Sequence, residues 1–241
     1  MIIKGIFHIH TKYSFDSILS PRRIVKYAIK NDYDFIAITD HNTIRGATEA
    51  YNYNIKYNDF QKLKVIIGAE YATDKGDIIG LFLKEEINSK NSKEVIKKIK
   101  EQGGITILPH PFKGHKLDNE LMRDIDVVEV YNSRVNLVNN HKVKNLAKRY
   151  NKPIIIGSDA HFYGELGLTL MYYENISSVS FSETILCREP KIVKYEKSGW
   201  YYETLSQLIK SYKMGDVRIL LSQSKRFLYQ LKGILSIKLK D

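Results

Sequence analysis

Two histidines one residue apart, His8 and His10, close the first apolar run of this chain. Gly5-Ile6-Phe7 leads into them, so a strand that alternates its side chains turns both imidazoles to one face. Paired neutral imidazoles suit a transition metal such as Zn²⁺, Mn²⁺ or Fe²⁺. A lone His-x-His fits a strand cap beside a core hydrogen bond equally well. The pattern gains weight because acid and imidazole donors recur at the ends of later apolar runs. These are Thr39-Asp40-His41, Gly68-Ala69-Glu70, Leu108-Pro109-His110 and Gly157-Ser158-Asp159-Ala160-His161. Five of the seven histidines lie at such ends, and donors at neighbouring strand ends can share one site.

The elements that must carry these donors are short. Strands are predicted over Ile3–His8, Phe35–Thr39, Lys64–Ala69, Asp77–Leu83, Ile105–Leu108, Val127–Tyr131 and Ile154–Gly157, with an eighth extended segment over Leu168–Tyr173. Helices are predicted over Pro21–Asn31, Gly46–Tyr57, Ser92–Gln102, Leu117–Met122 and Val135–Tyr150. Ser20 before Pro21 reads as an N-cap, and Gly103-Gly104 as a helix stop. Repeated strand–helix units imply a parallel sheet covered by helices. An open sheet would spread its strand ends along an edge, whereas a barrel gathers them around one mouth. Donors from five strand ends over 150 residues therefore favour a distorted TIM-like barrel.

Taken in order, these motifs resemble the polymerase-and-histidinol-phosphatase (PHP) family of metal-dependent phosphoesterases over residues 1–190. The resemblance implies a seven-stranded β/α barrel with two or three divalent ions, Mn, Zn or Fe, at its mouth. It places His8, His10, Glu70 and Asp159 on a first ion, and Glu70 and His110 on a second. Asp16, His41 and His161 fall on a third. Asp159, Glu70 and His161 are the expected catalytic residues. The implied reaction is hydrolysis of a phosphate ester, whether a phosphomonoester, a nucleotide or the 5′ end of an oligonucleotide. A bridging carboxylate keeps two cations about 3.5–4 Å apart, and a hydroxide between them becomes the nucleophile. No Ser or Cys with a neighbouring base suggests a covalent intermediate. One departure stands out: some members place a further His after the fifth core strand, where this chain reads Val127-Val128-Glu129-Val130-Tyr131-Asn132. Asn132 or water would fill that position.

Around these donors, Asp16 taken alone reads as a turn residue, and Asp40 as a partner that orients an imidazole. Arg134 is the candidate phosphate clamp, with Arg45 and Lys113 on corresponding loops. His115 reads as a solvated loop residue and His141 as a helix-surface residue.

The 241 residues suffice for one such barrel with an appendage. One cysteine, Cys187, excludes an internal disulfide framework. No run approaches the ~18–20 apolar residues of a membrane span, and Met1-Ile2-Ile3-Lys4 leads directly into a strand, so a cytoplasmic protein is expected. The net charge of +11 is uneven: residues 191–241 hold 11 Lys or Arg against four Asp or Glu, which leaves only +4 for the rest. The chain accordingly divides into a barrel, 1–192, and a basic amphipathic extension, 193–241, with helices over Tyr201–Met214 and Val217–Lys240. Docking on the outer wall of the barrel is the simplest use for such helices; nucleic acid, a membrane surface or a subunit partner are others. Two further readings compete with the phosphoesterase. One is an amidohydrolase-type C–N hydrolase on a similar His-rich barrel. The other is a catalytically weak barrel that serves as a scaffold and binds nucleic acid through the tail.

Overall fold

β1 (Ile2–Ile9) is the strand on which the sheet closes. It pairs in parallel with β2 (Phe35–His41) on one side and, through Phe7 and Ile9, with β7 (Ile154–Ala160) on the other. Between β2 and β7 the order runs through β3 (Lys64–Thr73), β4 (Gly76–Leu81), β5 (Ile105–Leu108) and β6 (Val127–Asn132). The result is the expected closed barrel of seven strands. The computed structural model describes residues 2–57, 63–174 and 179–218.

The sheet is not wholly parallel, as the strand–helix pattern had implied. β3 and β4 form a hairpin through Gly76, which sits at φ 112°, and β4 runs antiparallel to both β3 and β5. Only two residues separate the two strands, too few for the helical crossover that parallel pairing needs. β8 (Thr169–Glu174) lies antiparallel along the N-terminal half of β1, and β9 (Lys191–Tyr195) pairs with β8. β9 and the helix α6 (Phe181–Cys187) were not anticipated from the sequence.

Barrel strands covered by helices are buried on both faces and read as nearly continuous apolar runs. β6 is buried at every position and β7 at all but its first. The covering helices bury one stripe each. α1 (Pro21–Lys30) turns Pro21, Ile24, Val25 and Ala28 inward, and α3 (Ser92–Glu101) buries Val95, Ile96 and Ile99. Asn91 caps α3 by accepting from the Glu94 amide at 3.1 Å. Ser20 holds the N-cap position of α1 but makes no capping bond; Pro21 follows it as expected. α2 (Arg45–Tyr57), α4 (Asn119–Asp124) and α5 (Leu137–Arg149) complete the cover.

The compositional change at residue 192 falls inside β9, and α7 (Trp200–Met214) follows. α7 lies at the mouth rather than on the outer wall. Lys213 Nζ donates to the carbonyls of Lys12, Ser14 and Ser17 at 2.7–2.8 Å, in the loop that leaves β1. The second basic helix, expected over Val217–Lys240, lies from residue 219 onward outside the described residues. No helix among the described residues is long and apolar enough to cross a membrane.

Barrel closure leaves no room at Gly157 of β7. A Cβ there would meet the Glu129 carboxylate and stand 3.1 Å from His8 Cβ. Overpacking of this kind costs about 1–3 kcal/mol. Gly157→Ala is therefore expected to lower the unfolding free energy by that amount in urea titrations, and an unchanged midpoint would contradict the packing described.

Candidate metal centre

The mouth of the barrel gathers eight ionisable side chains. Glu70, at 1% exposure, sits in the middle. Its Oε1 lies 2.9 Å from His110 Nε2, and its Oε2 lies 3.1, 3.4 and 3.6 Å from His41 Nδ1, His10 Nε2 and His8 Nε2. Asp159 Oδ1 stands 3.4 Å from His10 Nε2, 3.5 Å from His161 Nδ1 and 3.7 Å from His8 Nε2. Asp16 Oδ2 completes the rim, 3.2 Å from His161 Nε2 and 3.4 Å from His41 Nε2. Three sets of ligand atoms lie within 4.8 Å of one another: His8, His10 and Asp159; His8, Glu70 and His110; His10, His41 and His161.

The backbone bends to bring them together. His8 has φ 64°, His110 31° and Asp159 50°, a region non-glycine residues seldom occupy. Each such residue costs on the order of 1–3 kcal/mol and persists only where the surroundings hold it. The pairing register of β1 shifts on both sides around His8, so a bulge replaces the regular alternation read from the sequence. His8 and His10 still share a site, with ring centroids 5.1 Å apart.

Three imidazoles are oriented through their outer nitrogens. His8 Nδ1 donates to Glu129 Oε1 at 2.7 Å. His161 Nδ1 donates to the Asp159 carbonyl at 2.8 Å. Ser14 Oγ donates to Asp40 at 2.7 Å and so accepts from His10 Nδ1 at 3.1 Å. Each ring is thereby held with its Nε2 turned to the centre, the arrangement a metal ligand requires. Asp40 acts on His10 through Ser14, in keeping with the orienting role expected of it.

Electrostatics follow from crowding without water. Burial, together with the neighbouring His161 and His41, pushes His10 down to about 3, so it stays neutral. Burial also opposes charge on His41, but Asp16 and Glu70 outweigh it and raise that ring to about 10. His8 is likewise raised against its burial by Glu129, Asp159 and Glu70. Glu70 and Asp159 are held well below the usual carboxylate range: burial works against this, and the surrounding histidines, His8 foremost, overcome it.

Two residues expected to meet substrate are occupied within the chain. Arg134 donates bidentately to Glu165, Nε at 2.8 Å and Nη2 at 2.7 Å, and its Nη1 donates to Ser206 Oγ at 3.0 Å. The fork anticipated for a phosphate is filled by a carboxylate of the protein. Asn132 is fully buried and donates to Glu129 Oε2 at 2.9 Å. His115 also departs from expectation: it is half-buried against Gly76, and its Nε2 donates to the Asp77 carbonyl at 2.8 Å.

The sequence reading passed over Glu129 and Glu165, both buried and both hydrogen-bonded to site residues. Glu129 did leave a signal, a single carboxylate inside the apolar run Val127–Tyr131. Glu165 left none. Beside the centre a groove of about 720 Å³ is lined by Phe112, Lys113, Arg134, Lys197, Ser198 and Trp200, among others.

A β/α barrel with imidazole and carboxylate donors converging from its strand ends is an arrangement that can hold divalent metal ions. The PHP domain family model matches residues 7–215, and the chain belongs to that family. It is 41% identical over 162 residues to the uncharacterized protein MJ1587 of Methanocaldococcus jannaschii, covering 61% of this chain and 92% of that one. Among solved structures, a two-domain protein from Bacteroides vulgatus containing a predicted PHP-like metal-dependent phosphoesterase superposes with a TM-score of 0.66 at 19% identity. The superposition covers 81% of this chain but only 65% of that one. An amidohydrolase from Chromobacterium violaceum gives a TM-score of 0.56 at 14% identity, covering 77% and 93%. At these identities the likeness is one of fold.

Glu129 accepts from His8 Nδ1, the His110 amide and the Asn132 side chain. Glu129→Ala strands these buried donors and is expected to cost about 2–5 kcal/mol. Urea unfolding of the metal-free protein measures it; a loss below about 1 kcal/mol would show that the glutamate does not hold the site.

Proposed function

We propose that the protein is a metal-dependent phosphoric ester hydrolase whose divalent ions are held by His8, His10, Asp16, His41, Glu70, His110, Asp159 and His161. The observation that carries this reading is the pair of orphaned nitrogens at the centre. His8 Nε2 and His10 Nε2 are buried, make no hydrogen bond, and lie between two carboxylates. Buried polar atoms left without partners are rare unless something binds them, and imidazole with carboxylate donors and no thiolate suits Zn²⁺, Mn²⁺ or Fe²⁺.

Bound ions of this kind supply Lewis acidity toward a phosphoryl oxygen and lower the pKa of water. The side chains of the protein do the rest. Glu70 offers one oxygen toward His110 and the other toward His8, His10 and His41, so it would present a donor atom to each of these two groups of rings. Asp159 faces the same space from β7, and its ionised state is favoured by His8, His10 and His161. Lys113 adds positive charge near Asp159 from the groove, where the organic part of a phosphate ester would lie, and Lys197 stands further along. The substrate class these groups favour is a phosphomonoester, a nucleotide or the 5′ end of an oligonucleotide.

The test is phosphate release in the presence of Mn²⁺ from a phosphomonoester, a mononucleotide and a 5′-phosphorylated oligonucleotide, with an amide substrate alongside. Turnover of a phosphate ester that falls to background in Asp159→Ala is expected. Cleavage of the amide alone would replace this reading with a C–N hydrolase.

A pH dependence follows from His41. In the metal-free protein its ring keeps a proton up to about 10, because Asp16 and Glu70 override the effect of burial. A ligand role requires the neutral ring, so an ion entering near neutrality must expel that proton, and affinity should strengthen as the pH rises toward 10. Calorimetric Mn²⁺ titrations in buffers of different ionisation enthalpy are expected to show proton release, to which the raised His8 ring also contributes; heats independent of the buffer would remove both His8 and His41 from the ligand set.

A further inference from the structure

Glu165 is fully buried at the end of a short 3-10 turn, Tyr163–Glu165, just after β7. Five donors converge on it. Oε2 accepts from the backbone amides of His161 at 2.9 Å and Phe162 at 3.1 Å, and from Arg134 Nη2 at 2.7 Å. Oε1 accepts from Arg134 Nε at 2.8 Å and Ser198 Oγ at 2.5 Å. Arg134 reaches on to Ser206 of α7 through Nη1. One carboxylate thus joins the loop that bears His161, the loop after β6, the segment before α7 and, through Arg134, α7 itself.

A buried ion pair of this kind is a poor device for stability, because desolvation offsets most of its attraction. It is a good device for fixing geometry, since every lone pair is committed in a set direction. What it fixes is the backbone of His161. The ring of His161 is in turn oriented by the Asp159 carbonyl and faces Asp16 at 3.2 Å. We infer that Glu165 is a positioning residue for His161, with the Arg134 fork holding its carboxylate in place. The inference rests on the reading of His161 as a metal ligand given above.

The experiment is an Mn²⁺ titration of the chelator-treated full-length protein, followed by electron paramagnetic resonance of free Mn²⁺. Glu165→Gln keeps the shape of the side chain but not its charge or its full set of acceptors. It is expected to weaken one class of site 10–100-fold, the range typical of residues that orient metal ligands, and to spare the others. Ser198→Ala removes a bond to Glu165 that does not involve His161, and its titration is expected to superpose on the wild type. A Glu165→Gln titration identical to wild type would overturn the inference, as would an equal loss in Ser198→Ala, which any loosening of the pocket would then explain. Should Glu165→Gln fail to fold, Arg134→Lys keeps the charge without the fork; several-fold weaker binding is expected, and unchanged binding overturns the inference. Wild-type protein that binds no Mn²⁺ would overturn the metal centre itself, and this inference with it.

Discussion

The structure depends on a carboxylate that has no access to water. Glu70 is fully enclosed, and removing such a charge from solvent costs several kcal/mol unless partners replace the water. The replacement is a shell of imidazoles: His110 on one oxygen and His41, His10 and His8 on the other. Those rings come from β1, β2 and the end of β5, while Glu70 comes from β3. The curvature of the closed sheet brings these ends within 4 Å of one carboxylate. Closure therefore serves the centre as much as the core does, and the shift of register around His8 is where the regular sheet gives way to it.

Much of this was legible in the sequence because strand ends in a barrel are punctuated chemically. An apolar run stops at the residue that must face the mouth, and the stop itself is a polar donor: His10, His41, Glu70, His110, Asp159, His161. These donors at five strand ends implied convergence, and convergence implied a closed sheet. The direction of β4 was not legible. Its apolar content is that of any barrel strand, and only the shortness of the link at Asp74-Lys75 distinguishes a hairpin from a crossover. Asp16 lay between the two cases. Its sequence context is that of a turn, and its place 3.2 Å from His161 depends on a loop that Lys213 holds from far along the chain.

The residues that escaped notice act through other residues. Glu129 sits three positions before the end of β6 and reaches the centre by holding His8 Nδ1 and the His110 amide. Reading strand ends alone misses it, although a lone glutamate among Val127, Val128 and Val130 needs a partner somewhere. Arg134 shows the opposite failure. A loop arginine beside a mouth reads as a phosphate ligand until the carboxylate that occupies it, Glu165, is found 31 residues away. Motifs record which side chains reach the centre; they do not record how the remaining buried charges pair.

The basic extension makes the same point about charge. Its excess of lysine and arginine suggests affinity for polyanions, yet part of that charge is used inside the protein. Lys213 replaces water at three carbonyls of the loop bearing Asp16, and Lys210 lies 4.6 Å from the centroid of Phe15, a ring that itself stacks on His41 at 4.5 Å. Carbonyl dipoles leave the net charge of a lysine in place, but three hydrogen bonds fix where the Lys213 ammonium sits. What the extension contributes there is order at the rim, with Ser206 on Arg134, Lys213 on the loop after β1, and Tyr202 stacked on Phe162 beside His161. A helix tied to three loops of the mouth restricts how they can move relative to one another, and the spacing between His161, His41 and Asp16 depends on those loops.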